Sequence, residues 1–185
     1  MAENQVIEIN TRRRFLKIAA ASLCLTACPT WGSNLLTTPN RNLSLHNRHT
    51  GESVQVDYWE QGRYIPESLS DLNRIMRDHR TDEVAPIDYR LFDLLFVLHG
   101  KTNSKQPFHI ISGFRSAASN GMLHATTSGV AKGSLHLKGQ AVDICLPDCD
   151  LSNLRNASLA LKGGGVGYYP ASNFVHVDVG RVRAW

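Results

Sequence analysis

The chain of 185 residues is 42% hydrophobic and 19% charged, enough for one domain of ordinary globular character and too little for two independent cores. Half of its formal charge of +4 comes from the first 27 residues, where Arg12, Arg13, Arg14 and Lys17 oppose Glu3 and Glu8. The remainder holds no dense basic stripe, which argues against a nucleic-acid phosphate backbone as partner.

The first element is an address. "TRRRFLKIAAASLCLTAC" couples a basic start to an apolar run from Ile18 to Ala27, too short for the ~20 residues that cross a bilayer. This is the pattern of a signal peptide over 1–27, and the arginine pair followed by Phe15, Leu16 and Lys17 resembles the twin-arginine type, which carries proteins already folded. Leu25-Thr26-Ala27-Cys28 resembles a lipobox, which would lipidate Cys28 and tether the protein to a membrane; ordinary cleavage without lipid is the other reading. Residues 28–42 read as a polar tether, and 43–185 as the folded domain. Export also bears on the cysteines: Cys24 and Cys28 belong to the signal and its boundary, leaving Cys145 and Cys149 in the body. In an oxidising compartment these two close a small disulfide across "CLPDC". The alternative, a thiolate metal site, lacks a second cysteine pair.

In the body, "LSLHNRHTGESVQVDYW" alternates around Thr50-Gly51 and predicts a β-hairpin. Pro66 opens a helix through Arg80 with Leu69, Leu72, Ile75 and Met76 at helical spacing. A second helix starts after Asp88, burying Leu91, Leu94, Leu95 and Leu98. "PFHIISGFRS" predicts a strand running into a turn, followed by a helix over 117–125 and a glycine-bearing loop into the strand of "SLHLKGQAVDICL". "LSNLRNASLALK" predicts a helix closed by Gly163 to Gly165, and two strands flank the turn "YPASN". Early helices and late strands joined by tight turns imply an α+β domain, with a small, mainly antiparallel sheet flanked by helices.

The chemistry lies in the last strands. Alternate residues of a strand share a face, so Val175 and Val177 point to the core while His176 and Asp178 point the other way. In "QAVDI", Val142 and Ile144 turn inward and Asp143 outward. If these strands are neighbours, Asp143 and His176 emerge together and the preceding loop brings His136 over them. Two imidazoles and one carboxylate suit Zn²⁺ with a fourth position left for water, the mark of a catalytic site. Gly139 lets the chain turn between ligands, and Ala141 leaves room beside the ion. The other six histidines, His46, His49, His79, His99, His109 and His124, have no partner at metal spacing and read as surface or packing residues. "GGGVG" lacks a following Gly-Lys-Ser/Thr, so it reads as a structural turn rather than a phosphate loop.

Ser134-x-His136-x-x-Gly139-x-Ala141-x-Asp143 with the later His176 resembles the zinc peptidases that group D-alanyl-D-alanine peptidases with the hedgehog signalling domain. Within that group, "LHNRHTGES", "ISGFRS", "GVAKGSLHLKGQAVD" and "GGGVGYYPASNFVHVD" are similar to the MepK (YcbK)-type murein endopeptidases, over roughly residues 43 to 185. The resemblance implies a hedgehog/D-Ala-D-Ala-peptidase-like fold, zinc at His136, Asp143 and His176, a periplasmic location, and cleavage of peptide cross-links between peptidoglycan stem peptides. It also implies that Arg115, the arginine of the SG(Y/F)RS turn, holds a substrate carboxylate, for which a planar guanidinium suits better than lysine; a surface salt bridge is the alternative. Ser134 either donates to substrate or caps the metal loop. Many relatives place a histidine or acid as general base two or three positions before the last metal histidine, where this chain has Phe174 and Asn173. Asp178 is then the candidate base, with orientation of His176 as its other role. A carboxypeptidase trimming a terminal D-alanine and a non-catalytic peptidoglycan-binding module are the competing functions.

Overall fold

The computed structural model describes residues 35, 38–126, 131 and 133–185. The segment expected to direct export, Cys24, Cys28 and most of the expected tether lie outside these residues, and no described helix is long and apolar enough to cross a membrane.

Strands β1 (Asn40–Asn47) and β2 (Ser53–Glu60) form the expected hairpin, turned by Gly51 at φ 73°. β1 begins before residue 43 because Asn40 and Arg41 already pair with Glu60 and Trp59. β3 (Arg63–Tyr64) extends the edge of the sheet. Helix α1 (Pro66–Ile75) opens on its proline, whose fixed φ suits the first helical turn. It stops short of the expected Arg80. In a continued helix the Met76 carbonyl would accept from Arg80; instead it accepts from the Phe114 N–H at 2.7 Å. The Arg80 N–H turns to Asp78 Oδ1 at 2.9 Å, and Asp78 Oδ2 accepts from the Ser116 N–H at 2.8 Å. The helix is cut by the SGFRS turn that docks on its end.

Helix α2 (Tyr89–Thr102) is capped by Asp88, which accepts from the Arg90 N–H, and buries Leu91, Leu94, Leu95 and Leu98 as the spacing predicts. Then come β4 (Phe108–Ser112), α3 (Ala117–Thr126), a 3₁₀ turn (Leu135–Lys138), β5 (Ala141–Cys145) and α4 (Leu151–Leu161). α4 closes on Lys162 at φ 52°, not on the glycines expected to end it. Those glycines admit close backbone approach: a Cβ at Gly164 would lie 1.8 Å from the Asp178 carbonyl oxygen. β6 (Gly165–Tyr169), β7 (Phe174–Asp178) and β8 (Arg183–Ala184) complete the chain's elements.

The strand order is β3-β2-β1-β4-β5-β7-β6-β8. In place of the small, mainly antiparallel sheet expected, this is an eight-stranded mixed sheet with parallel pairings of β1 with β4 and of β6 with β8. The crossover through α1 and α2 returns β4 beside β1 in the same direction, which a tight hairpin cannot do. β8 pairs with β6 because both sides of β7 are already taken by β5 and β6.

One face of the sheet presents Leu43, Leu45, Phe108, Ile110, Val142, Ile144, Val175 and Val177 to a core shared with Leu91, Leu95, Leu98, Leu154 and Leu161 of α2 and α4. Strand alternation sends Asp143 and His176 to the opposite face. The expected Cys145–Cys149 disulfide is not formed; both are free thiols. The pleat of β5 fixes Cys145 opposite His109, while a turn closed by the Cys149 N–H on the Leu146 carbonyl leads Cys149 Sγ to the Asp150 carbonyl at 3.6 Å. Burial raises the pKa of both thiols.

Two polar clusters carry stability. Buried Asp93 of α2 accepts from Arg41 Nη1 at 2.7 Å, Tyr58 Oη at 3.0 Å and Tyr64 Oη at 2.7 Å, pinning the hairpin to the helix. Removing one partner of a buried pair strands the other charge. Asp93→Ala is therefore expected to lower unfolding free energy by about 3–5 kcal/mol in urea denaturation.

At the hairpin turn, His49 stacks on His79 with ring centroids 3.8 Å apart. Burial, then His49 and Arg80, push the His79 imidazole down to about 4 from 6.5. The unfolded chain thus binds more protons between these pH values, so this stability is complete above pH 6.5 and is lost as pH falls toward 4. The melting temperature of the parent protein should fall more between pH 7 and 5 than that of His79→Phe, measured by calorimetry at roughly those two values.

Candidate metal centre

β5 and β7 pair antiparallel with Asp143 directly opposite His176 and Ala141 opposite Asp178. The expected neighbourhood of these strands is thus direct pairing. β4 flanks β5 on its other side, with Ser112 opposite Asp143 across an irregular register. His136 comes from the 3₁₀ turn. Ser134 Oγ caps that turn by accepting from the His136 N–H at 3.4 Å, and Gly139 closes it in the left-handed region at φ 62°. A side chain at Gly139 would also collide with the Pro86 carbonyl oxygen, 2.3 Å from its Cβ position. The Arg115 N–H donates to the His136 carbonyl at 3.2 Å, joining the SGFRS turn to the 3₁₀ turn.

His136, Asp143 and His176, all buried, each offer one ligand atom, and these atoms lie within 4.8 Å of one another. His176 Nδ1 stands 2.8 Å from Asp143 Oδ1, His136 Nε2 stands 3.3 Å from the same oxygen, and the two nitrogens are 3.2 Å apart. The outward atoms are held from behind. His136 Nδ1 meets the Gly113 carbonyl oxygen at 2.7 Å, and His176 Nε2 meets Asp178 Oδ2 at 3.2 Å. With those outer nitrogens donating, both inner nitrogens present lone pairs toward a carboxylate oxygen. Three acceptors converging on one point repel unless a cation lies among them, so the donor set fits a divalent metal ion.

With no cation among them, the same groups pair as acid and base. Desolvation works against the charged form of Asp143, yet His136 and His176 outweigh it and hold the carboxyl well below the usual range. Desolvation likewise opposes the charged form of His176, and its hydrogen bonds to the carboxylates of Asp143 and Asp178 overcome it, raising that imidazole. Arg115 is 8% exposed, and burial lowers its pKa. Nη2 lies 3.5 Å from Asp143 Oδ2 and Nε lies 3.3 Å from Ser112 Oγ, so Arg115 is a buried flank of the site rather than a surface ion pair.

Asp178 is fully buried and crowded. Oδ1 accepts from the Gly165 and Gly180 N–H groups at 2.9 and 2.8 Å, and Oδ2 accepts from Arg183 Nη2 at 2.6 Å while facing His176. Desolvation opposes its ionisation, but His176, Arg183 and the backbone donors outweigh that and hold it low. A carboxylate so engaged is a poor proton acceptor, which disfavours the general-base role expected of it and favours orientation of His176. Arg183 was not legible as a site residue: it lies beyond the glycine turn after β7, and only the β6–β8 pairing returns it to Asp178. At the positions where a base was expected, Asn173 at φ 54° closes the turn before β7 and Phe174 is the first residue of that strand. Elsewhere His46 packs against His109, His49 against His79 and His99 against Phe108.

A family model for the peptidoglycan L,D-endopeptidase MepK matches residues 36–185. The chain is 44% identical over 175 residues to the peptidoglycan L,D-endopeptidase MepK of Escherichia coli (strain K12), covering 94% of this chain and 96% of the relative. It is 35% identical over 178 residues to the probable peptidoglycan L,D-endopeptidase MepK of Haemophilus influenzae, covering 94% and 95%. On residues that hold a buried two-histidine, one-aspartate cluster at the centre of the sheet, the chain belongs to the MepK family of peptidases.

Proposed function

We infer that the protein is a zinc-dependent murein endopeptidase that hydrolyses peptide cross-links of peptidoglycan, of the L,D type named for its relatives. The observation that carries this reading is the convergence of His136 Nε2, His176 Nδ1 and Asp143 Oδ1, within a family of peptidases. Those three residues would hold the zinc, and the chemistry it would supply when bound is an acidified water (pKa ~7) and polarisation of the scissile carbonyl.

The chain's own residues do the rest. Gly113 and Asp178 fix the two imidazoles with their inner nitrogens toward Asp143 Oδ1, where the ion would be held. Arg115, held by long hydrogen bonds to Ser112 and Asp143, turns its fork to a substrate carboxylate. Ser134 holds the 3₁₀ turn that carries His136. Asp178 is a positioning residue. The setting is the cell envelope, reached through the twin-arginine-type segment 1–27, with Cys28 as the candidate lipid attachment and 43–185 as the peptidase domain.

Purified protein incubated with cross-linked muropeptide dimers should release uncross-linked products. A chelator should stop release and added Zn²⁺ restore it, and His136→Ala should reduce it below detection; cleavage that survives either treatment overturns the zinc mechanism. Free D-alanine in place of split dimers would identify a carboxypeptidase instead.

Asp178→Asn keeps the shape of the side chain but weakens its hold on His176. It should cost about 10–100-fold in Zn²⁺ affinity by calorimetric titration, with kcat at saturating zinc much less affected. A larger loss of kcat with unchanged zinc affinity would return Asp178 to a direct role in proton transfer.

A further inference from the structure

One flank of the metal centre is aromatic, and the reaction described above makes no use of it. Trp185 is 51% exposed, yet it is held at every handle. Its N–H donates to the Val166 carbonyl at 3.2 Å and its carbonyl accepts from the Tyr168 N–H at 3.0 Å. The indole N–H donates to Tyr169 Oη at 2.7 Å, and the Arg183 guanidinium carbon sits 4.9 Å from the ring centroid. Tyr169 in turn stacks on Phe174 with centroids 4.6 Å apart. The indole stands 5.3 Å, centroid to centroid, from the ring of His176.

Gly167 is the floor under both rings and the cross-strand partner of His176. A Cβ there would lie 2.8 Å from Trp185 Cε2 and 2.8 Å from Tyr169 Cε2. The chain therefore gives up a side chain beside a metal ligand so that two aromatic rings can close over the strand. A large ring that is immobilised but left half in water forfeits part of the area its burial would have contributed to folding. It presents instead a rigid apolar face that loses little entropy when a ligand covers it. Because Tyr169 Oη accepts from the indole, its own proton remains available to a further acceptor.

We propose that Trp185, seated by Tyr169 and Gly167, is the substrate-positioning wall of the peptidase: its indole face packs on the aliphatic part of a stem-peptide residue next to the scissile bond. Arg115 flanks the centre at Asp143 and Trp185 flanks it at His176, so a cross-linked peptide lying over the metal ligands meets a cationic fork on one side and an apolar wall on the other. The proposal rests on the peptidase reading.

Steady-state kinetics on cross-linked muropeptide dimers test it, with zinc affinity and melting temperature measured on each variant. Trp185→Ala should raise KM about tenfold while kcat and zinc affinity stay within about threefold, and Trp185→Phe, which keeps a flat ring, should return KM to within about threefold of the parent. An unchanged KM in Trp185→Ala overturns the wall, as does a loss confined to kcat or zinc affinity, since that is what mere support of His176 would produce. Should Trp185→Ala melt early, Trp185→Phe decides: near-parental KM in a stable protein upholds the proposal, and a KM raised tenfold sinks it. Any of these results leaves cleavage by the parent protein, and hence the assignment of the reaction, untouched.

Discussion

A carboxylate and an imidazole set face to face across two central strands is the constraint on which the rest of the structure depends. Asp143 opposite His176 brings an anion within 2.8 Å of a ring nitrogen in a place nearly closed to water. Buried charges are tolerated only when paired and hydrogen-bonded. The surrounding architecture supplies that pairing in layers: His136 from the 3₁₀ turn, Arg115 behind Asp143, Asp178 behind His176, and Arg183 with two backbone N–H groups behind Asp178. Beyond His176 the network passes through Asp178, whose side chain is 0% exposed, to Arg183, 35% exposed, and there it reaches solvent.

The same layering ties distant parts of the chain to the site. The end of α1 holds the SGFRS turn through the Met76 carbonyl and Asp78, and that turn holds both the 3₁₀ turn and β5: the Gly113 carbonyl meets His136 Nδ1, and Arg115 reaches Asp143. Asp88, which caps α2, accepts from Gln140 and donates its N–H to the Gly139 carbonyl, so the second helix is clamped to the loop between two ligands. The opposite face of the sheet is ordinary aliphatic core. Rigidity of the centre therefore comes from helix ends and turns whose backbone groups are spent on the site instead of on longer helices, which is why α1 is shorter than its apolar spacing allows.

Much of this was legible in the residues. The hairpin, the Asp88-capped helix and the valine-lined face of β7 follow from period-2 and period-3.6 patterns that tertiary contacts did not override. The ligand trio was readable because alternation forces Asp143 and His176 onto one face once their strands pair. What alternation cannot report is which strands pair. It left the two parallel pairings, and with them the return of Arg183 to Asp178, unseen. It also left Asp178 balanced between two roles, since a residue's fitness as a base depends on how many donors already surround it. The cysteine pair misled for a related reason: a spacing of four permits a disulfide, but the pleat of β5 and the turn after it decide where each sulfur points.

By itself, then, the amino-acid order determined most of the elements, though not the short strands β3 and β8 or the end of α1, and with them the inward and outward faces of the late strands, the residue types able to bind a metal, and the family to which they belong. Those are local properties, set by side-chain chemistry and by the backbone's two periods. Only the tertiary structure decided that three inner ligand atoms converge with their outer atoms pinned, that Asp178 is saturated, and that Trp185 stands against His176. These depend on strand order and on burial, quantities that arise only when segments far apart in the chain exclude water from one another.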